Sequence, residues 1–302
     1  MANSISYAKA YKDKLDEIFK AGAVTAMMEA AEGTYKFNPE NAQEILLQKV
    51  SVNGLGDYSR SNGYVSGDAT VTWETHSFGQ DRARKFNLDT MDAKEAMFMV
   101  GRLMAEIMRT QIIPEIDAYR FHKICNLCSV DATADLTVDT VVNAIDTGVQ
   151  TLNDAEVPEE GRVLFLSNTV DNLLKNSGEF YKTRVTHDNA VQKIQRKISM
   201  LDDMPIIRVP KARFYSAFDF YDGESGGETA GGFTPSAGSK ELNFMIVPIQ
   251  YVIGVIRHMD PKLIQPQYNA DHDGWIFAPR LYHELFIPEN KLGGIYIHKK
   301  SS

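Results

Sequence analysis

Soft metal ligands gather at one place in the 302-residue chain, His122-Lys-Ile-Cys125-Asn-Leu-Cys128. Structural zinc needs four converging ligands, and no second cysteine pair exists to complete the set. On a helix, steps of three spread side chains around the axis, so the segment reads as small residues packing near a helix end. A thioredoxin-like redox role would need a strand and helix pattern around the cysteines that the flanking residues do not supply. Gly54-Leu-Gly56 follows an extended run, as a dinucleotide fingerprint would, but position 59 is Ser and no helical pattern follows. Gly226, Gly227, Gly231 and Gly232 lack the Gly-Lys-Ser/Thr that would make a phosphate cradle. The other histidines (His76, His187, His258, His272, His283 and His298) are dispersed. Asp271, His272 and Asp273 are adjacent, and neighbours in an extended segment point to opposite faces. The reading is a non-enzyme, with no catalytic residue, metal site or cofactor site assigned.

If no site organises the chain, its elements must say what it is for. From Glu44 the apolar pattern alternates, and residues 45–88 read as a long two-faced ribbon. Ile45, Leu47, Lys49 and Val50 begin its first extended segment. Asn62-Gly63 marks a turn, since both residues tolerate positive φ. The second segment puts Val71 and Trp73 on one face and Thr72, Glu74 and His76 on the other. Arg82, Arg84 and Lys85 close the ribbon. Two strands alone are marginal in water, so another part of the chain or another chain must cover it.

Before the ribbon, the first 30 residues read as a helical arm, with Tyr11, Leu15, Ile18 and Phe19 at helical spacing. After it, Asp92 to Glu95 has the form of a capping box. Met97, Val100, Met104, Ile107 and Met108 then make an apolar stripe that resumes past Pro114 at Ile116, Tyr119 and Ile124. A helix over residues 92–128 would be about 55 Å long at 1.5 Å per residue, with Pro114 as a kink or interruption. Next, Thr137 caps a helix carrying Val138, Val141, Val142, Ile145, Val149 and Leu152. Residues 162–166 read as a buried strand, 168–175 as a short helix, and Ile206, Ile207 and Val209 as another strand. Residues 223–238 are a mobile Gly-rich loop. Residues 242–247, 275–287 and 294–298 are extended. The fold class is α+β.

Composition narrows the function. The chain is 43% hydrophobic and 24% charged, ordinary for a globular protein able to bury a core in one or two domains. Its net charge of -8, with no basic block, argues against a protein built to grip phosphate backbones. Two cysteines make no disulfide framework, so a reducing, intracellular folding compartment is expected. The first 20 residues contain no continuous apolar core of a signal peptide. The most apolar window, residues 244–256, is broken by Pro248, Gln250 and Gly254 and is too short to span a bilayer. A soluble protein without a membrane partner is expected.

Four stretches resemble the major capsid proteins of tailed bacteriophages, which share the Hong Kong 97-like fold. They are the start, Met1-Ala-Asn-Ser-Ile-Ser-Tyr-Ala-Lys9; the ribbon, with Gly56-Asp-Tyr-Ser-Arg60, Gly63-Tyr-Val65, Thr72-Trp-Glu-Thr-His76 and Asp81-Arg-Ala-Arg-Lys-Phe86; the helix segment Pro114-Glu-Ile-Asp-Ala-Tyr-Arg-Phe121; and the C-terminal Asp273-Gly-Trp-Ile-Phe277, Tyr282-His283 and Asn290-Lys-Leu-Gly-Gly-Ile-Tyr-Ile-His298. Together they span almost the whole chain.

The resemblance implies an N-terminal arm (1–44), an extended loop (45–88), a peripheral domain with a long spine helix (89–130 and 266–302) and an axial domain (131–265). It implies self-assembly into hexamers and pentamers that close an icosahedral head around double-stranded DNA, held without sequence specificity. Portal, scaffolding and decoration proteins are the further partners implied, with assembly in the host cytoplasm and the virion capsid as destination. Asp57, Tyr58, Arg60, Trp73, Glu74, Arg82 and Arg84 are the expected intersubunit contacts of the loop. No Lys lies between Val50 and Arg84, so a covalent Lys–Asn lock, as some relatives carry, is not expected from this ribbon. An encapsulin-like nanocompartment shell is the alternative, and a small-molecule enzyme using residues 131–265 is a further one.

Overall fold

The computed structural model describes residues 18–19, 22–30, 33–41, 43–61, 63–89, 96–177, 185–191, 194–259, 261–269 and 274–301. Along the chain, β1 (Lys36–Phe37), β2 (Glu44–Val52) and β3 (Ala69–Ser77) form one antiparallel sheet. Then come β4 (Gln80–Ala83), β5 (Phe86–Asp89), α1 (Ala96–Ile107), a π-helical turn (Met108–Ile112) and α2 (Ile113–Leu127). A mixed region follows: β6 (Asp131–Thr133), α3 (Val141–Asp154), β7 (Arg162–Ser167), α4 (Asn168–Asn176), β8 (Val185–Val191), β9 (Ile194–Leu201), β10 (Met204–Val209), β11 (Phe218–Phe220), β12 (Phe233–Pro235) and β13 (Leu242–Pro248). The last strands are β14 (Ile253–His258), β15 (Lys262–Ile264), β16 (Gly274–Ala278), β17 (Arg280–Phe286) and β18 (Tyr296–Lys299).

A seven-stranded sheet in the order β6-β18-β13-β7-β10-β9-β8 forms the largest unit. Its central strands read as unbroken apolar runs because both faces are covered. Val163, Phe165, Met245, Val247 and Ile297 point to one side, where Phe121 and Ile124 of α2 pack. The alternate residues Leu164, Leu166, Phe244, Ile246 and Tyr296 point to the other, against Val141, Ile145 and Leu152 of α3 and Val170 and Leu174 of α4. A period of two along each strand therefore builds two cores from one sheet.

Helices α1 and α2 run on through residues 96–127 with the π turn between them. Pro114 has no N–H to donate, and its ring crowds the carbonyl four residues back. The backbone widens instead of breaking: Ile113 N donates to Met108 O, one residue further than in an α-helix. The expected kink or interruption at Pro114 is thus a π turn. Within α2, Asp117 and Arg120 are fully buried along with the apolar residues. Asp117 accepts from Val24 N at 3.2 Å, Thr25 N at 3.0 Å, Thr25 Oγ1 at 2.6 Å and an Arg213 guanidinium nitrogen at 2.9 Å. Arg120 donates to Thr25 O at 3.0 Å and pairs with Glu29. Residues 24–29 are so tied to the spine.

Several expectations change. The paired part of the ribbon ends at Ser77: β4 pairs with β17 and β5 with β16, so residues 80–89 belong to two other sheets. Strand β18 joins the seven-stranded sheet, whereas β14 and β15 pair with β17 and β16. The arm is not one helix through residue 30, because Ala26–Met28 is a 3-10 turn and Glu29 is already extended. Thr137 does not cap α3. The helix starts after Thr140, whose Oγ1 accepts from Thr137 N at 2.9 Å, and Val138 precedes it. The capping box at residues 92–95, Tyr11, Leu15, Asn62 and residues 271–273 lie outside the described residues.

Candidate interaction surface

The cysteine, histidine and serine constellations among the described residues are engaged in the fold. Cys125 and Cys128 pack in the core at the end of α2, and burial pushes both thiols up to about 12. His122 Nδ1 accepts from Phe218 N at 3.1 Å, and Nε2 faces the Asn126 amide at 2.9 Å. Burial, with Lys123 beside it, holds that imidazole below its ordinary range. Gly223-Glu-Ser225-Gly-Gly227 has the Gly-x-Ser-x-Gly spacing of a nucleophile elbow. It lies in an exposed turn rather than between strand and helix, and Ser225 Oγ donates to Asp222 at 2.5 Å. Among the described residues, no group of three or more His, Cys, Asp or Glu side chains could hold a metal ion.

The ribbon divides into two faces. Register pairs Ile45 with His76, Leu47 with Glu74 and Lys49 with Thr72, all pointing toward the body. Ile45 and Leu47 are buried with Phe78, Ile253, Val255 and Phe286, which anchors the ribbon's base. The alternate pairs Gln48 with Trp73, Val50 with Val71 and Val52 with Ala69 point away and stay exposed among the described residues. Val50, Val52, Val71 and Trp73 are 57%, 69%, 53% and 46% exposed. Beyond them, at the tip, Leu55, Tyr58, Tyr64 and Val65 are exposed too. With Phe37, nine of the eleven exposed large apolar side chains among the described residues fall between positions 37 and 73, so the exposure is one patch rather than scatter. Scattered exposed apolar residues are normal, but a contiguous patch marks an interaction surface.

The seven expected contact residues separate in the same way. Asp57, Tyr58 and Arg60 sit at the exposed tip, where Ser59 and Gly63 bridge the chain and the Tyr58 and Tyr64 rings lie 5.0 Å apart. Trp73 is on the open face, with Lys36 Nζ 5.0 Å from its ring. The other three are engaged within the chain. Glu74 meets Lys49 Nζ at 3.1 Å and accepts from Glu289 N at 3.4 Å. Burial pushes its carboxyl up, but Lys49, the Glu289 N–H and His76 outweigh that and hold it below the usual carboxylate range. Arg82 donates to Glu115 at 2.6 Å and to Tyr221 O at 2.7 Å. Arg84 donates to Ala230 O at 2.8 Å and Thr229 O at 3.0 Å. These two arginines strap down the Gly-rich loop that the sequence reads as mobile. Gly231, at φ 67°, leaves room for the Arg84 guanidinium, since a Cβ there would lie 2.8 Å from it.

Val50, Val52, Leu55, Tyr64 and Val65 are exposed on the ribbon and its tip and were not among the seven expected residues. The alternation of Val50 and Val52 was a signal, but it takes the register with β3 to show that these two and Val71 share one face.

A long helical pair, a sheet covered on both faces and a ribbon reaching beyond its own core define the architecture. The chain has the Hong Kong 97-like fold of phage capsid proteins, as expected from the sequence. It is similar to the head structure of Helicobacter pylori bacteriophage KHP40, with a TM-score of 0.59 and 9% identity, covering 93% of this chain and 90% of that one. It is similar to the mature capsid of bacteriophage PhiM1, with a TM-score of 0.58 and 8% identity over 94% and 87%. The capsid structure of Cyanophage P-SCSP1u is also similar, with a TM-score of 0.57 and 11% identity over 86% and 84%. Neither a family model nor a curated protein matches the sequence.

Proposed function

We propose that this chain is a phage major capsid protein, a structural subunit without enzymatic activity whose copies form the hexamers and pentamers of an icosahedral head. One observation carries the reading: in a capsid fold, the large exposed apolar residues concentrate on the ribbon that projects from the body. Each copy offers this ribbon to a different surface of a neighbour, which is the head-to-tail contact that generates rings. The contact is non-covalent, since the ribbon has no Lys between Val50 and Arg84. Tip residues Asp57, Tyr58 and Arg60 join Trp73 in that contact, while Glu74 fixes the ribbon to its own body and Arg82 and Arg84 hold the Gly-rich loop.

In this reading the spine and the strands paired around β16 and β17 form the peripheral domain, and the seven-stranded sheet forms the axial domain. Double-stranded DNA is enclosed without sequence-specific contacts. Portal, scaffolding and decoration proteins complete the partners, and assembly takes place in the host cytoplasm.

Electron microscopy and sedimentation of the purified chain across concentration test the proposal. Closed shells, or rings of five or six, are expected. Monomers at every concentration, with and without the neighbouring gene products, would overturn it. A co-purifying enzyme cargo inside closed shells would favour a nanocompartment instead.

A further inference from the structure

The ribbon's edges carry information that its faces do not. Asn53 N donates to Asp68 O at 3.1 Å and Phe78 N to Gln43 O at 2.9 Å, and both pairs continue the β2–β3 register. In an antiparallel pair, hydrogen-bonded and non-hydrogen-bonded positions alternate. Residues 45, 47, 49 and 51 of β2 therefore exchange main-chain bonds with 76, 74, 72 and 70 of β3. The N–H and C=O groups of the intervening residues point outward from the ribbon. On β2, those of Glu44 and Leu46 face β1, and Asn38 N donates to Glu44 O at 3.1 Å. Past Leu46, the outward groups of Gln48, Val50 and Val52 have no strand beside them among the described residues. On β3, which is the outer strand of its sheet, the same holds for Ala69, Val71, Trp73, Thr75 and Ser77 among the described residues.

Folded proteins usually blunt such edges with lysines, prolines, bulges or short strands. Strand β3 uses none of these. It is nine residues long, contains no Lys or Pro, and keeps nine consecutive register pairs without a bulge. Its one acidic residue, Glu74, is turned toward the body and held by Lys49. The residues with outward main-chain groups are also those whose side chains make the open apolar face.

We propose that β3 is a strand-pairing edge that accepts an extended strand from the ribbon of a second copy of this chain. The inference rests on the self-assembly reading above and specifies its contact. The ribbon fits as its own occupant because it offers a second unprotected edge, at Gln48, Val50 and Val52. Joining two ribbons edge to edge would continue their open faces as one apolar surface. Main-chain hydrogen bonds would then fix the register between copies, and Val71 and Trp73 would be shared by edge and face.

The test uses proline at outward positions. Ala69→Pro with Thr75→Pro deletes two outward N–H groups and leaves the β2–β3 ladder and the large apolar side chains intact. Thr70→Pro, whose N–H lies in the ladder, is the control that breaks the ribbon itself. Sedimentation of the full chain reads association, and amide exchange at Leu47 and Lys49 reads the ribbon. The double variant should keep the exchange pattern and need at least about tenfold more protein to associate, since two lost hydrogen bonds of about 1 kcal/mol each exceed the roughly 1.4 kcal/mol that carries tenfold. An unchanged association midpoint in the double variant would overturn the edge pairing while leaving self-assembly standing. Absence of association in the unmodified chain would overturn both.

Discussion

Replacing Val50 and Val71 together by threonine isolates the ribbon's open face. The two residues are register partners on that face and are both more than half exposed in the single subunit. Threonine keeps the branched shape and the strand preference, so the fold should not notice. An interface would notice, because each substitution exchanges a methyl for a hydroxyl. Fully burying a valine side chain is worth about 1.5–3 kcal/mol, and roughly half of that surface remains to be covered here. Losing most of it costs about 1 kcal/mol per site, or about 2 kcal/mol per ribbon contact, which corresponds to about 30-fold in association. The protein concentration at which half the chain is assembled, measured by sedimentation or light scattering, should rise by about that factor. The melting temperature of the dilute subunit should stay put. A midpoint shifted by less than about threefold, with an unchanged melting temperature, would mean that the face is not covered on assembly.

Other expectations concern the body. Asp117→Ala strips four donors of their buried acceptor and leaves Arg213 unpaired, so a urea titration should show a loss of about 3–5 kcal/mol. Gly294→Ala should destabilise by about 1–3 kcal/mol, because its Cβ would meet the Tyr251 ring at 2.3 Å, whereas Gly293→Ala, with open space, should be near neutral in the same melt. His283 is fully buried, and burial, then Arg120 and Arg82, pushes its imidazole from an ordinary 6.5 down to about 3. The unfolded chain therefore takes up a proton below 6.5 that the folded chain refuses until about 3, so stability present above 6.5 falls as pH drops through that window. Between pH 6.5 and 5 the loss should be about 2 kcal/mol, and His283→Phe should remove that slope in denaturant titrations at several pH values.

How much could be read from the sequence depended on whether one residue's neighbours decided its role. The buried strands β7 and β13 and the helix α4 were legible because continuous apolar runs and a helical stripe are local patterns. The π turn was half legible: Pro114 announces a disturbance, but whether the helix breaks or widens depends on what holds both sides. Here α1 and α2 both pack against the β16–β17 region, through Met104, Ile113 and Ile116. The ends of the ribbon were not legible. Gln80–Ala83 continues the alternation of β3, and only β17, some 200 positions later in the chain, takes it into another sheet. The expected contact residues divide for a related reason. Charge and ribbon position singled out Glu74, Arg82 and Arg84, yet their partners Lys49, Glu115 and the carbonyls of residues 221–232 are distant in sequence. A charge alone does not say whether its partner lies in the same chain.

That division of labour explains how a thin ribbon can be ordered before it meets a neighbour. An isolated hairpin is marginal, and the outer half of this one buries little of its own surface. Its base, however, is fixed by apolar contacts of Ile45 and Leu47 and by the Lys49–Glu74–Glu289 cluster. Gly79, just past the ribbon, donates at 2.9 Å to the buried Glu284, which also accepts from Tyr119 of the spine at 2.6 Å. Buried apolar residues and paired charges thus hold the base where their partners are fixed by the fold. Exposed apolar residues and open main-chain groups are left to the outer half, where the proposed assembly would supply the partner. Conformational entropy for the base is offset within the subunit, and only the outer half must be offset on association. A ribbon ordered at its root loses less freedom on docking than a wholly flexible one, so in the proposed assembly modest apolar contacts at each neighbour would suffice to hold it.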